Sequence, residues 1–162
     1  STPSNSSAAS DVYKRQGYPW MTGSGKGRGS KINIIVPPGS GDDVYLEAIG
    51  ISEEVIEHFT PEVILVSAGF DAYRGDGLAD LRLTSNSYYR LGRIIRKHSK
   101  RVLVALEGGY STGLTRGAPA FIAGLIGAGN PVVEEETSSA KRVFSEFNEN
   151  ARILRMEISY LS

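Results

Sequence analysis

The sequence predicts an α/β fold in which helices flank a parallel sheet. Apolar runs of strand length alternate along the chain with segments whose apolar residues recur at helical spacing. Strands that alternate with helices are joined by right-handed crossovers, which makes neighbouring strands parallel. Two of the runs end in glycine followed by a chemically capable side chain, as at the ligand-binding edge of such sheets. The 162 residues are enough for one domain with a core.

The composition excludes several classes of function. Lysine and arginine together number 18, as do aspartate and glutamate, so we expect no direct binding of nucleic acid. No apolar run approaches the roughly 20 residues that a membrane span requires, so we expect no membrane partner. The absence of cysteine excludes disulfides and thiolate metal sites and favours a cytoplasmic location. Nothing in the pattern indicates an oligomeric state.

The first sixteen residues differ in character from the rest of the chain. Residues 1–10, STPSNSSAAS, are polar and of low complexity, which is typical of disorder. Residues 11–16, DVYKRQ, resemble the translated end of a transposon-based sequencing library. We therefore interpret residues 1–16 as a disordered or artefactual leader, and expect native sequence to begin near Gly17 with an upstream part missing.

The first predicted elements follow from short stretches with clear boundaries. INIIVPP, residues 32–38, predicts a strand closed by its two prolines, which cannot continue a hydrogen-bonded ladder. GSGDD then supplies turn residues and an acidic helix start, and this helix is predicted to end at Thr60. Its apolar residues are Val44, Ala48, Ile51, Val55 and Phe59. EVILVSAG, residues 62–69, is continuously apolar and predicts a strand covered on both faces.

The second half of the chain repeats the alternation of strand and helix. Thr84 or Ser85 is predicted to cap a second helix, and RVLVALEGGY, residues 101–110, predicts another strand. Pro119 suits the first turn of a third helix. The apolar stripes predicted for the second, third and last helices are, in order, Tyr88, Leu91, Ile95 and His98; Phe121, Ile122, Leu125 and Ile126; and Val143, Phe147, Ala151, Leu154 and Ile158.

Two side chains follow predicted strands at the edge where ligands bind. Asp71 comes just after the run at residues 62–69, and Tyr110 follows the glycine pair that ends the next run. A lone aspartate after a strand is commonly a turn residue, but no helix begins directly after Asp71. Its carboxylate is also a suitable ligand for Zn²⁺, Mn²⁺ or Mg²⁺. Tyr110 is either a packed loop residue or a hydrogen-bond donor to a developing oxyanion.

Other polar residues are interpreted as structural. Asp42 and Asp76 fit turn or capping positions. His58 and His98 lie in the last turns of predicted helices, where an imidazole complements the helix dipole. The stretch TGSGKGRGS, residues 22–30, lacks both the preceding strand and the Lys-Ser/Thr pair of a phosphate loop, so it predicts a flexible connector.

Three stretches, in order and with fitting gaps, resemble one enzyme family. They are INIIVPPGSGDDVYLEA, PEVILVSAGFDAYRGDGLADLRLT and LVALEGGY. Together they resemble the carboxy-terminal part of the zinc-dependent histone deacetylase family, which includes acetylpolyamine amidohydrolases and acetoin-utilisation proteins. The resemblance covers Gly17 to about Gly127. It implies an arginase/deacetylase-like fold that is incomplete here, with residues 17–162 as the carboxy-terminal part of the domain.

The resemblance implies roles for two residues. Asp71 corresponds to the aspartate of the family's GFDA motif, which is a zinc ligand. Tyr110 corresponds to the catalytic tyrosine that closes the family's GGY motif, binds the substrate carbonyl and stabilises the tetrahedral oxyanion. The implied reaction is zinc-assisted hydrolysis of an acetylated amide, whether of a protein lysine, a polyamine or a small metabolite.

Departures from the family pattern concern the rest of the site. The family takes its other two zinc ligands from an Asp-x-His motif and its proton shuttle from a His-His pair, and this sequence contains neither. A catalytic zinc ion needs three protein ligands, so we expect the chain as given to be inactive although its complete parent protein is a zinc-dependent amidohydrolase. Tyr73 and Gly77 stand where the family often has histidine and proline, which leaves the substrate class open.

Two alternatives are retained. A dimanganese ureohydrolase of the same fold needs a second aspartate two residues after the first, where Tyr73 stands. A noncatalytic α/β binding module would use Asp71 and Tyr110 only for turns and packing.

Overall fold

The computed structural model describes residues 17–159, so the leader interpreted at residues 1–16 lies outside the described residues. The strands are β1 (Ile64–Gly69) and β2 (Val102–Gly108). The α-helices are α1 (Asp42–Phe59), α2 (Ser85–His98), α3 (Ala118–Ile126) and α4 (Lys141–Ser159), with a 3-10 turn at Gly25–Gly27 and a π-helical turn at Gly113–Gly117. None of the helices in this part of the chain is long and apolar enough to cross a membrane.

The described residues form two compact units. One unit is Val36–Asn148, which contains both strands, and the other consists of the described residues before and after that range. In the second unit, the side-chain amide of Asn33 donates to the carbonyl oxygens of Tyr18 at 3.1 Å and Met21 at 2.8 Å. The rings of Tyr18 and Trp20 stack there with centroids 4.7 Å apart. These contacts fix the turn that precedes the stretch at residues 32–35.

The sheet of the first unit is parallel, as the alternation of strands and helices predicted. Ile64 pairs with Val102, and the two strands stay in step as far as Ala68 and Leu106. The register then shifts, so that Gly69 pairs with Gly108. Because α2 lies between the strands in the chain, the connection is a strand-helix-strand crossover, and both carboxyl ends lie at one edge of the sheet.

One face of this sheet packs on the helices. Ala68 and Phe70 belong to a buried cluster with residues of α2 and α3, and Ile64, Val66 and Val102 pack against it. The other members of the cluster are Tyr73, Leu83, Tyr88, Ile95, Ala118 and Phe121. The core therefore lies between the sheet and the α2–α3 pair.

The prediction that residues 62–69 are covered on both faces is wrong. Leu65 is 73% exposed and its cross-strand neighbour Leu103 is 65% exposed, while the alternating residues Ile64 and Val66 contact the core. Side chains alternate across a strand, so a helix layer on one side covers only every second residue. Among the described residues, helices cover one face of β1 and leave the other to solvent, whereas most side chains of β2 are exposed.

The prediction of a strand within residues 32–38 is also wrong. The structure contains no strand there, because no neighbouring segment among the described residues forms a hydrogen-bonded ladder with it. An apolar run adopts a defined strand only when a partner satisfies its backbone groups.

Most of the predicted helix boundaries are confirmed. The chain leaves α1 at Thr60, which is left-handed at φ 48° before Pro61. The Thr84 hydroxyl caps α2 by accepting from the Asn86 N–H at 3.2 Å. Pro119 lies in the first turn of α3. In α4 the predicted stripe is buried at Val143, Phe147, Ala151 and Leu154, with Ile158 half-buried.

The inward face predicted for α3 is partly wrong. Phe121 is buried and Leu125 packs against the core, but Ile122 is 53% exposed and Ile126 is 65% exposed. Small residues take the inward positions, because α2 and α3 touch at their backbones: a Cβ on Gly124 would lie 2.3 Å from the Tyr89 carbonyl oxygen. The bulkier isoleucines are left on the opposite face.

Candidate functional site

Asp71 is positioned by the residue before it. The Phe70 N–H donates to the Gly108 carbonyl at 3.1 Å and so continues the ladder past the end of β1. The Phe70 ring is buried against Tyr88 and Phe121, with centroids 5.3 and 6.0 Å away. Asp71 is consequently held at the carboxyl end of β1, half-buried, and its carboxylate accepts no hydrogen bond from any of residues 17–159.

Tyr110 reaches the same edge from β2. Gly109 has φ 77°, and a Cβ there would lie 2.2 Å from both the Asp71 nitrogen and the Phe70 carbonyl carbon. A Cβ on Gly108 would lie 3.7 Å from the Asp71 carboxylate. The glycine pair therefore lets the Tyr110 loop lie directly on the backbone that carries Asp71, as only residues without a Cβ can.

The two predicted site residues share one sheet edge without a hydrogen bond between them. The Tyr110 ring is 64% exposed, and its hydroxyl donates to the Glu107 carbonyl oxygen at 3.0 Å. Such an exposed bond contributes only about 1 kcal/mol, so the phenol is readily released to another acceptor. The edge thus presents one carboxylate that has no hydrogen-bond partner among the described residues, and one phenol that is weakly held.

Asp76 connects the loops that carry these residues. It was interpreted as a turn residue, but its Oδ2 accepts from the Ser111 hydroxyl at 2.5 Å and from the Gly113 N–H at 3.2 Å. Ser111 is adjacent to Tyr110 in the chain, and Asp76 lies on the loop that follows Asp71. The sequence did not indicate this link, because the partners are 35 and 37 residues apart.

A second link joins the same two segments through Tyr73. The Tyr73 hydroxyl donates to both oxygens of Glu134, at 2.7 and 2.8 Å, and accepts from Arg116 Nε at 2.8 Å. Glu134 also accepts from Arg74 at 3.1 Å, Arg116 at 3.3 Å and the Ser85 N–H at 3.0 Å. Arg116 and Glu134 lie in segments without periodicity, so nothing in the sequence singled them out.

These contacts shift two pKa values in opposite directions. Burial opposes ionisation of Glu134, but hydrogen bonds from the Ser85 backbone, Tyr73 and Arg74 outweigh it and lower the pKa of its carboxyl to about 2. Burial, followed by the bond to Glu134, raises the pKa of the Tyr73 phenol. Tyr73 is only 2% exposed, and its phenol is already engaged by two partners, so it cannot bridge a pair of metal ions beside Asp71.

Asp42 is a buried structural group and not a simple helix cap. It is fully buried, and its oxygens accept from the Ser87 hydroxyl at 2.5 Å, the Thr84 N–H at 2.9 Å, and the N–H and hydroxyl of Thr137 at 2.9 and 3.1 Å. The cap of α1 is Gly41, which has no side chain to offer. Asp42 therefore ties α1 to the start of α2 and to the segment before α4.

The histidines lie away from the Asp71 edge. His98 ends α2, which leads into the amino end of β2, and its Nε2 is 3.1 Å from Glu53 Oε1. His58 is exposed in the last turn of α1. Glu53, Glu57 and His98 bring ligand atoms within 4.8 Å of one another, but the Lys97 ammonium already bonds both carboxylates, at 2.7 and 3.3 Å. This arrangement agrees with a structural interpretation of both histidines.

The described residues do not by themselves complete a zinc site. Among the described residues, Asp71 is the one residue at the sheet edge that the family resemblance identifies as a zinc ligand, whereas a catalytic zinc ion takes three protein ligands. Within residues 17–159, the one group of three possible ligands is Glu53, Glu57 and His98. The glycine-rich stretch at residues 22–30 holds a 3-10 turn, and residues 17–21 directly before it contain no strand, so it does not form a phosphate loop.

Comparison of the whole chain with known proteins identifies a family that it matches. Residues 5–125 match the histone deacetylase domain family. A probable deacetylase from Archaeoglobus fulgidus is 42% identical over 106 residues, which are 62% of this chain and 30% of the relative. An acetylpolyamine amidohydrolase from Burkholderia pseudomallei is 30% identical over 94 residues, which are 58% of this chain and 28% of the relative.

A solved structure agrees with these relatives. The structure of the histone deacetylase Clr3 matches with a TM-score of 0.75 and 26% identity, covering 90% of this chain and 25% of that one. The predicted fold class is thereby confirmed. The chain spans less than a third of the length of each of these three proteins.

Proposed function

The chain belongs to the histone deacetylase family, and from that premise we propose that it forms the carboxy-terminal part of a deacetylase acting on acetyl-lysine or acetylpolyamine-type amides. The observation that carries the proposal is the delivery of Asp71 and Tyr110 to one sheet edge by neighbouring parallel strands. Ligands of open parallel sheets bind at that edge.

In this proposal each residue has a distinct role. The Tyr110 phenol donates to the substrate carbonyl as negative charge develops on its oxygen, which is the interaction that most strongly favours the transition state of amide hydrolysis. The Asp71 carboxylate, with no protein hydrogen bond among the described residues, is one ligand for a zinc ion in the complete domain. A zinc ion held there would supply Lewis-acid activation of the carbonyl and of water. The proposed location is the cytoplasm, with no nucleic-acid or membrane partner.

The proposal is tested in a full-length relative that keeps both residues. Replacing the tyrosine aligned with Tyr110 by Phe should lower kcat by about a hundredfold to a thousandfold, the usual cost of removing an oxyanion donor. Replacing the aspartate aligned with Asp71 by Ala should abolish activity and reduce the zinc content. The matched control is Tyr89→Phe, because its hydroxyl donates to the Ala128 carbonyl oxygen just beyond the end of α3 and bonds neither Asp71 nor Tyr110, and it should retain activity.

Two results would favour the alternatives. Unchanged hydrolysis in both variants would support a noncatalytic binding module. Two manganese ions per chain in metal analysis of the full-length relative would support a ureohydrolase. The structure argues against this result, because the Tyr73 hydroxyl is already bonded to Glu134 and Arg116.

A further inference from the structure

We propose that Asp76 is a positioning residue, whose carboxylate fixes the loop that carries Tyr110 against the loop that carries Asp71. This role rests on the proposed function, since that function gives the two loops their importance. It adds to the site a residue whose sequence context indicated only a turn.

The hydrogen bonds of Asp76 are those of a connector between loops. A turn aspartate accepts hydrogen bonds from backbone groups about two residues ahead. Asp76 accepts none of this kind among the described residues; its Oδ2 takes the Ser111 hydroxyl and the Gly113 N–H, while its Oδ1 is buried without a partner. The Asp76 carboxylate therefore bonds the loop that carries Tyr110, and among the described residues it accepts no hydrogen bond from its own loop.

The loop that presents Asp76 is itself firmly held. The Asp76 N–H donates to the Tyr73 carbonyl at 3.0 Å, and Tyr73 is buried with its hydroxyl bonded to Glu134 and Arg116. Arg116 lies in the π-helical turn just beyond Ser111, so the Tyr73 bonds join the same two segments. These hydrogen bonds therefore hold the backbone that carries Asp76 in place.

Tyr110 needs such support because little else restricts it. Its ring is exposed, and its hydroxyl makes one weak hydrogen bond, to the Glu107 carbonyl oxygen. Ser111 directly after it is the next point at which the backbone can be fixed. Holding Ser111 and Gly113 on Asp76 sets the direction of the Tyr110 side chain, and a misplacement of about 1 Å costs roughly a hundredfold in rate.

The link itself is tested on this chain by amide hydrogen exchange. Asp76→Asn keeps the size of the side chain but replaces charge-assisted hydrogen bonds with neutral ones, so exchange of the Gly113 N–H should accelerate by about tenfold or more. Asp80→Asn is the matched control, because it makes the same change on the same loop at an exposed position, and Gly113 exchange should stay unchanged. Equal Gly113 exchange in Asp76→Asn and the unmodified chain would overturn the proposal.

The effect on catalysis is tested in a full-length relative with the same aspartate and serine. Asp76→Asn should lower kcat by roughly tenfold to a hundredfold while KM stays within about twofold, because the tyrosine acts mainly in the transition state. Ser111→Ala removes one of the two hydrogen bonds that Asp76 accepts; because Ser111 is exposed, the variant should fold even where Asp76→Asn does not, and it should also lower kcat. The double variant should be no worse than the more impaired single variant, since the two residues form one link.

Two outcomes separate this role from the proposed function. An unchanged kcat in Ser111→Ala, alongside a strongly impaired Tyr110→Phe, would overturn the positioning role and leave the proposed function standing. Full activity in Tyr110→Phe would overturn the proposed function and the positioning role together.

Discussion

Glu134 gathers donors from three parts of the first unit around one carboxylate. The phenol of Tyr73, the guanidinium groups of Arg74 and Arg116, and the first N–H of α2 all point at it, and its side chain is only 6% exposed. Such a group is stabilising only while it is ionised, because its neutral form would leave the cations without a counter-charge. The pKa of about 2 expresses that preference.

This carboxylate predicts a pH dependence of stability. Its folded pKa of about 2 lies below the usual 4.5, so its contribution is complete above about pH 4.5 and is lost as pH falls toward 2. Glu134→Gln should cost roughly 2–3 kcal/mol of unfolding free energy at pH 7, and should flatten the fall in stability between pH 4.5 and 2. Urea denaturation of both proteins at several pH values measures this. Glu135→Gln, at an exposed neighbour, should leave the curve unchanged; a Glu134→Gln curve parallel to that of the unmodified chain would refute the assignment.

The placement of Asp71 and Tyr110 at one sheet edge was predictable because each follows the end of a strand. Asp71 and Tyr110 follow apolar runs that end in glycine, and strand ends at a parallel-sheet edge are local signals. Asp42 and Glu134 have no such signal, because their bonds reach residues up to 95 and 61 positions away. Hydrogen bonds between residues so far apart in the chain depend on the tertiary structure, so a short stretch of sequence does not indicate them.

At the scale of elements, α2 and α3 approach each other so closely that their backbones touch. A Cβ on Gly92 would lie 2.3 Å from the Phe121 carbonyl oxygen and 3.0 Å from the Leu125 nitrogen. Backbone atoms cannot yield as a flexible side chain can, so the two helices would have to separate. Gly92 of α2 and Gly124 of α3 therefore mark the face along which the two helices meet.

Gly92→Ala should therefore destabilise the fold although alanine favours helices. We expect a loss of about 1–3 kcal/mol, the usual cost of overpacking a core, seen as a lower Tm in a circular-dichroism melt. Gly50→Ala in α1 is the matched control: a Cβ there meets nothing within 4 Å, so the same change should stabilise by about 0.5–1 kcal/mol. Equal Tm changes in the two variants would contradict the close contact.

The sequence largely predicted whether a segment forms a helix or a strand, but it did not predict which neighbouring segments pack against it. The ends of α1 and α2 follow from Thr60 and Thr84, which act through local backbone geometry. The strand predicted at residues 32–38 failed because a ladder needs a neighbour, and the inward face assigned to Ile122 and Ile126 failed because only the approach of α2 decides which side of α3 is buried.

For the molecule as a whole, one candidate zinc ligand predicts the absence of turnover. The 162-residue chain contains no Asp-x-His and no His-His pair, and Asp71 alone cannot hold a catalytic zinc ion. Incubated with zinc and an acetyl-lysine peptide, the purified chain should release no acetate above the buffer blank. A full-length relative assayed alongside is the positive control. Measurable release by the chain would show that it assembles a site from its own residues.

The paired leucines on the outer face of the sheet have a consequence for handling the protein. Leu65 and Leu103 lie opposite each other on neighbouring strands, turned to water, in a sheet that has two strands among the described residues. Strands of this kind adhere to one another as concentration rises. Work on the isolated chain therefore belongs at low protein concentration, where its monomeric properties can be recorded before insoluble material forms.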